Sequence, residues 1–231
     1  MICFLSPFSV SAVENFSFIN EQFFAAHVGP EATDQLLAGG WRHFGEHYFR
    51  YNLGFYDSEI RRVFALRIDL STFSFSKSQR RTLKRNEDLE TVFRPARVSD
   101  ETHDLFERHK QRFQHAVPES IYDFVSPEPA SVPCEGLECA VYDGARLMAV
   151  SFFDVGKIAV SSIYGMFDPE ETNRRLGIFT ILREIEFALE SGKKYYYHGY
   201  IYDGNSFYDY KKRFRALEIY DWNGSWLKFR D

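Results

Sequence analysis

The chain has 231 residues, 45% hydrophobic and 18% aromatic, enough to bury a sizeable core without disulfide or metal staples. Its formal net charge of -5 argues against a protein that coats nucleic acid over its whole surface, so any RNA contact has to be concentrated in a local basic patch. No apolar run approaches the ~20 residues a bilayer needs, and the start lacks the basic segment and small-residue cleavage site of a signal peptide. The expectation is a cytoplasmic protein with no membrane partner.

Residues 1 to about 50 mix aromatic residues with a helical stretch near Glu31–Leu37, closed by Gly39 and Gly40. Phe64–Leu70 alternates as a strand does, after which Ser76 caps a helix running to Arg85, with Asn86 as its stop. A second helix is expected over Asp100–Gln114. The proline-rich stretch from Pro118 to Pro133 admits no regular element and reads as a loop, with a lid as one use for it.

Beyond that loop the pattern predicts strands over Glu138–Tyr142, Leu147–Phe153 and Ile158–Phe167, joined by turns at Asp143-Gly144 and Val155-Gly156. A helix from about Arg174 to Glu190 follows, then a strand at Tyr195–Tyr202, a short helix near Tyr208–Arg213, and strands Glu218–Trp222 and Trp226–Phe229 around Asn223-Gly224. Three strands, a crossover helix and a fourth strand is the order of GNAT-type acyltransferases, and the crossover makes one strand pair parallel. The expected class is therefore α+β: a GNAT-like acyltransferase fold, with a mixed, mostly antiparallel sheet and flanking helices. A smaller N-terminal subdomain is expected over 1-70 and the catalytic domain over 71-231.

Three cysteines, Cys3, Cys134 and Cys139, are too few for a disulfide framework, and no second pair or histidine couple completes a zinc site. They read as reduced thiols. His103, His109 and His115 recur at six-residue steps that share no helix face, His198 reads as a satisfied strand histidine, and no metal is assigned.

Lys77, Arg80, Arg81 and Lys84 recur at helical spacing, with Arg85 beside them, and present one cationic face. On composition that face reads equally as a solvated surface balanced by Glu87, Asp88 and Glu90 and as a contact for phosphates. Its concentration in an acidic chain favours RNA. The segment RRLGIF offers only Gly177 where a CoA-binding turn presents several glycines, and Phe179 stands where a small residue is wanted. An acyl donor other than acetyl-CoA is the natural reading. Aromatic segments GEHYFRYN, KKYYYHGYIY and SFYDYKKRF could stack a terminal adenine, line an aminoacyl pocket, or simply face inward.

Several segments resemble the aminoacyl-tRNA–protein transferases, the family of arginyltransferases and bacterial leucyltransferases. Gly40-Trp41-Arg42-His43-Phe44-Gly45 is similar to its first arginine block. Ser76–Arg81 with Lys84–Leu89 is similar to its SxSQRR and KRNxDL signature. Ser161–Tyr164, Asp168-Pro169, Leu176-Gly177, Arg183–Glu186, Gly199-Tyr200 and Tyr210–Phe214 follow in the family's order. The N-terminal cysteine pair and the cysteine cluster after the arginine block are missing, Tyr51–Gly54 standing near the place of the latter, and Ala216 stands where many members have proline.

The resemblance implies transfer of an amino acid, Arg or Leu, from charged tRNA to the N-terminal α-amine of proteins beginning with Asp or Glu, as a degradation signal. The partners it implies are aminoacyl-tRNA and the acceptor N-terminus, with no DNA and no cofactor. Lys77, Arg80, Arg81, Lys84 and Arg85 are the expected tRNA contacts. Trp41, Arg42, Tyr200, Tyr210, Lys211 and Arg213 are the expected acceptor and aminoacyl pocket, with Arg42, Lys211 and Arg213 as cations for an acidic acceptor. Asp154 or Asp168 could take the amine proton, and Tyr164 could orient the ester. A tRNA-dependent ligase for a peptide or small amine, an inactive tRNA binder and an acetyl-CoA N-acetyltransferase remain the alternatives.

Overall fold

The computed structural model of the chain describes residues 17–113 and 117–229, so Cys3, Gln114 and His115 lie outside the described residues. The described chain opens with β1 (Asn20–Phe24), α1 (Pro30–Ala38), β2 (Arg42–Phe44), β3 (His47–Tyr51), β4 (Leu53–Tyr56) and β5 (Glu59–Asp69). Then come α2 (Lys77–Arg85), β6 (Glu90–Pro95), α3 (Asp100–Lys110) and the meander β7 (Gly136–Asp143), β8 (Arg146–Val155) and β9 (Ala159–Phe167). α4 (Leu176–Glu190) crosses to β10 (Tyr195–Tyr202), a 3-10 segment covers Phe207–Arg213, and β11 (Leu217–Tyr220) and β12 (Trp226–Lys228) close the chain.

The strands form a small sheet, β1-β3-β2, and a large one ordered β12-β11-β5-β10-β9-β8-β7-β6, with β4 paired to β5. The large sheet is antiparallel except at β9/β10, where the α4 crossover makes the strands parallel. This is the GNAT-like α+β arrangement that the element order implies. β5, drawn from before residue 71, sits between β10 and β11, so the large sheet borrows an inner strand from the N-terminal side.

Both faces of the large sheet are covered. On one, Leu182 and Ile185 of α4 pack with Ile68, Phe153, Val160 and Tyr196. On the other, Leu105 and Phe106 of α3 pack with Val150, Phe152 and Met166. The proline-rich stretch is irregular apart from one 3-10 turn, Ile121–Asp123, yet it is no lid: Ile121 and Val125 are buried in that second core, and a lid needs a free underside.

The parallel pairing that matters most for the site is short. Tyr195, Tyr196 and Tyr197 pair with Ala159, Val160 and Ser161, and there the register of β9 with β10 ends. A bulge between Tyr197 and Gly199 then carries β10 onward along β5, while β9 continues along β8. Past Ser161 the two strands diverge and leave a gap.

Candidate active site

Two cations enter that gap from opposite sides. Arg42, 8% exposed on β2, donates from one guanidinium nitrogen to Ser161 Oγ and from the other to the Ser162 carbonyl. Lys211 reaches back from the 3-10 segment and donates from Nζ to the Tyr200 carbonyl at 3.2 Å. Gly199 makes this approach possible: at φ +87 it is suited to glycine, and a Cβ there would stand 3.0 Å from Lys211 Nζ and 3.8 Å from an Arg42 nitrogen.

Neither cation has a carboxylate at ion-pair distance among the described residues, and their hydrogen bonds go to neutral oxygens. Burial lowers the Arg42 guanidinium, against the pull of Asp154, and brings Lys211 down to about 7, with Arg42 nearby adding repulsion. Two like charges, one buried and one half-buried, stand here with no anion between them among the described residues, an arrangement able to take one.

Behind the gap lies a buried polar group that motif reading did not assign. Glu184 of α4 is fully buried and accepts a hydrogen bond from Tyr196 Oη at 2.6 Å. Burial raises its carboxyl to about 7, close to neutrality, where a proton is readily traded. His198, 3% exposed, stacks edge-on to Phe214 at 4.7 Å, and neither ring nitrogen has a partner, so burial holds it neutral. The expectation of a satisfied strand histidine is thereby corrected.

The structure gathers some of the expected site residues and scatters others. Tyr200 borders the gap, its hydroxyl donating to the Gly40 carbonyl at 2.6 Å, and Tyr210 lies beside His198 at 6.1 Å between ring centres. Trp41 faces away, edge-on to Phe23 at 4.9 Å and under the Arg50 guanidinium at 4.8 Å. Arg213 is exposed.

Asp154, Asp168 and Tyr164 are not brought together. Asp154 meets His43 Nε2 at 2.7 Å; Asp168 is held by Arg146 at 2.6 Å and Arg108 at 3.5 Å, and their charges keep its carboxyl low; Tyr164 stacks on Phe124 at 3.9 Å on the α3 face. The His43 contact, a pair of arginines and a ring stack account for these three side chains.

α2 forms as expected, from a capping box in which Ser76 Oγ accepts from the Gln79 backbone and Gln79 accepts from the Ser76 backbone at 2.7 Å. Gln79 and Thr82 face inward, leaving Lys77, Arg80, Arg81, Lys84 and Arg85 exposed and, among the described residues, none of them in an ion pair. Of the three acids expected to balance them, Glu87, Asp88 and Glu90, one is committed elsewhere, since Arg174 grips Asp88 with two bonds of 3.0 and 2.9 Å. At the start of α4, Phe179 points into the core rather than blocking the turn. It is the Phe167 ring that covers Gly177, 2.7 Å from where a Cβ would stand.

A GNAT-like sheet whose parallel strands part around paired, anion-seeking cations defines an acyltransferase scaffold. Residues 101–221 match the family model described as "Arginine-tRNA-protein transferase, C terminus". The aspartate/glutamate leucyltransferase of Stenotrophomonas maltophilia (strain R551-3) is 31% identical over 204 residues, 84% of this chain and 79% of that one. The enzyme of the same name from Ruegeria pomeroyi is 34% identical over 170 residues, 71% of this chain and 62% of its own. Among solved structures, L-PGS from Bacillus licheniformis is similar at a TM-score of 0.49 and 12% identity, over 71% of this chain and 62% of that one. The chain belongs to the arginine-tRNA–protein transferase family and is an aminoacyltransferase.

Proposed function

We propose that the protein moves Arg or Leu from its charged tRNA to the α-amine of proteins beginning with Asp or Glu, marking them for degradation. The observation that carries this reading is the Arg42–Lys211 pair: two cations in one gap, satisfied only by neutral oxygens, are a receptor for the acceptor's carboxylate. With the carboxylate held there, the neutral α-amine attacks the ester carbonyl of the aminoacyl-tRNA. A C–N bond forms, the C–O bond to the ribose breaks, and the proton lost by nitrogen ends on the ribose oxygen. The donor is already activated, so positioning supplies most of the rate. The exposed, unpaired cations of α2 hold the phosphates of the tRNA stem.

The test is transfer of radiolabelled Arg and Leu from cognate tRNAs to peptides beginning with Asp, Glu or Ala. Transfer to the acidic peptides is expected, with loss in Lys211→Ala while charged tRNA stays bound. Failure of both amino acids on every peptide, with tRNA bound, overturns the reading in favour of a tRNA binder or a ligase for another amine.

A further inference from the structure

Residues that lie far apart in the sequence converge on a second polar centre. His43 comes from β2, Cys134 from the segment before β7, and Asp154 from the end of β8, and their ligand atoms all lie within 4.8 Å of one another. All three are buried, at 5%, 4% and 5% exposure.

The hydrogen bonds around His43 are the telling detail. Its Nδ1 faces the Gly45 carbonyl at 2.8 Å, and a carbonyl can only accept, so Nδ1 carries the proton. That leaves Nε2 with a lone pair directed at Asp154 Oδ2, 2.7 Å away. A lone pair and a carboxylate oxygen at that distance share a proton, whose place a metal ion would take if the atoms moved apart. A backbone acceptor on the far nitrogen is the arrangement that orients a metal-binding histidine.

The neighbouring groups discriminate between the two. Cys134 brings a soft ligand to the same point, beside Asp154. Tyr48, 2% exposed, lies against the Cys134 sulfur with its hydroxyl left without a hydrogen-bond partner, a donor suited to a thiolate. A cavity of about 20 Å³, lined in part by His43, Asp154, Val132 and Phe153, has room for about one water beside His43 and Asp154.

We propose that His43 Nε2, Cys134 Sγ and an Asp154 carboxylate oxygen bind one zinc ion, with a water from the adjoining cavity as fourth ligand. The thiol proton and the proton shared by His43 Nε2 and Asp154 both leave to solvent on binding. One thiolate and one carboxylate then neutralise the dication, so the buried centre carries no net charge. In a tetrahedral site, ligand atoms about 2.0 to 2.3 Å from zinc stand roughly 3.3 to 3.7 Å apart, so the His43–Asp154 contact opens by about half an ångström. The ion would fasten the small sheet, which supplies β2, to the edge of β8 and to the chain leading into β7. Nothing in this proposal depends on the identity of the transferred amino acid.

The experiment uses the full chain, stripped with a chelator and titrated with Co²⁺ as a spectroscopic stand-in. One equivalent is expected to give the visible bands of a tetrahedral site together with a thiolate-to-cobalt charge-transfer band, both displaced by Zn²⁺. Cys134→Ser is expected to lose the charge-transfer band, His43→Gln to weaken binding at least tenfold, and Cys139→Ala to behave as wild type. Absence of a stoichiometric cobalt spectrum in the wild-type chain overturns the proposal in favour of an imidazolium–carboxylate pair, and because that readout needs no variant, misfolding of a mutant cannot rescue it. A spectrum kept by Cys134→Ser but lost by Cys139→Ala overturns it as well.

Discussion

Burial acts on Lys211 and Glu184 in opposite senses, and the fold records both as pH dependence. Glu184 is raised from 4.5 to about 7, so between those values the native state holds a proton the unfolded chain has released, and stability falls as pH rises. Lys211 is lowered from 10.5 to about 7, so above 7 the unfolded chain holds the extra proton and stability rises with pH. Together they place a minimum near pH 7, with Glu184 contributing at most about 3 kcal/mol and the half-buried Lys211 at most about 5 kcal/mol. Urea unfolding across pH 4.5 to 10.5 is expected to show that dip, with Glu184→Gln removing the acid limb and Lys211→Met the alkaline limb; parallel curves for wild type and both variants would show that the shifts are absent. At this scale the sequence was legible where a motif named the residue, as for Arg42, Lys211 and Tyr200. Glu184 figured there only as part of the Arg183–Glu186 block and His198 read as satisfied, because what sets both apart is burial. Ala216 is a further case: at φ +54 it holds a conformation closed to the proline of many relatives, whose ring fixes φ near −65°.

An element can be read from sequence when its signal is local, and α2 shows how far that goes. The Ser76 cap, the Gln79 of the capping box and the Asn86 stop all fall within one short segment, and the helix occupies the expected residues. Strands β1 and β6 escaped because their pairing partners lie further along the chain: β1 needs β3, and β6 is recognised only by the meander strand β7. What sequence left open for α2 was whether its cations are balanced. The Arg174–Asp88 pair shows that one candidate acid is unavailable; Arg80 and Arg85 donate to the Phe75 and Asn173 carbonyls, and among the described residues none of the five cations meets a carboxylate. Replacing Lys84 with Ala is expected to weaken tRNA binding more at low salt than at high, lowering the slope of log K against log salt by about 1. An unchanged slope would mean that the helix faces solvent in the complex.

At the scale of the molecule, the segment between α3 and β7 decides whether the sheet has one working face or two. Its prolines forbid regular structure and invite the picture of a mobile cover, but its apolar residues answer differently. Ile121 is fully buried and Val125 is 6% exposed, both in the cluster that includes Phe106, Phe152 and Met166. The Gly45 amide donates to the Phe124 carbonyl at 3.1 Å and the Val28 amide to the Pro133 carbonyl at 2.7 Å, so the same segment also ties the small sheet and the turn before α1 to the large one. A lid that opened would break these bonds and expose the apolar side of α3. The segment should therefore unfold with the whole protein. Ile121→Ala is expected to cost about 2 to 5 kcal/mol, as for other buried large-to-small changes, and to lower the thermal midpoint as one cooperative transition. Proteolysis of the native wild-type chain should in turn spare this stretch despite its irregular backbone. A variant that keeps wild-type stability, or a wild-type chain cut first between residues 118 and 133, would return the segment to the role of a lid.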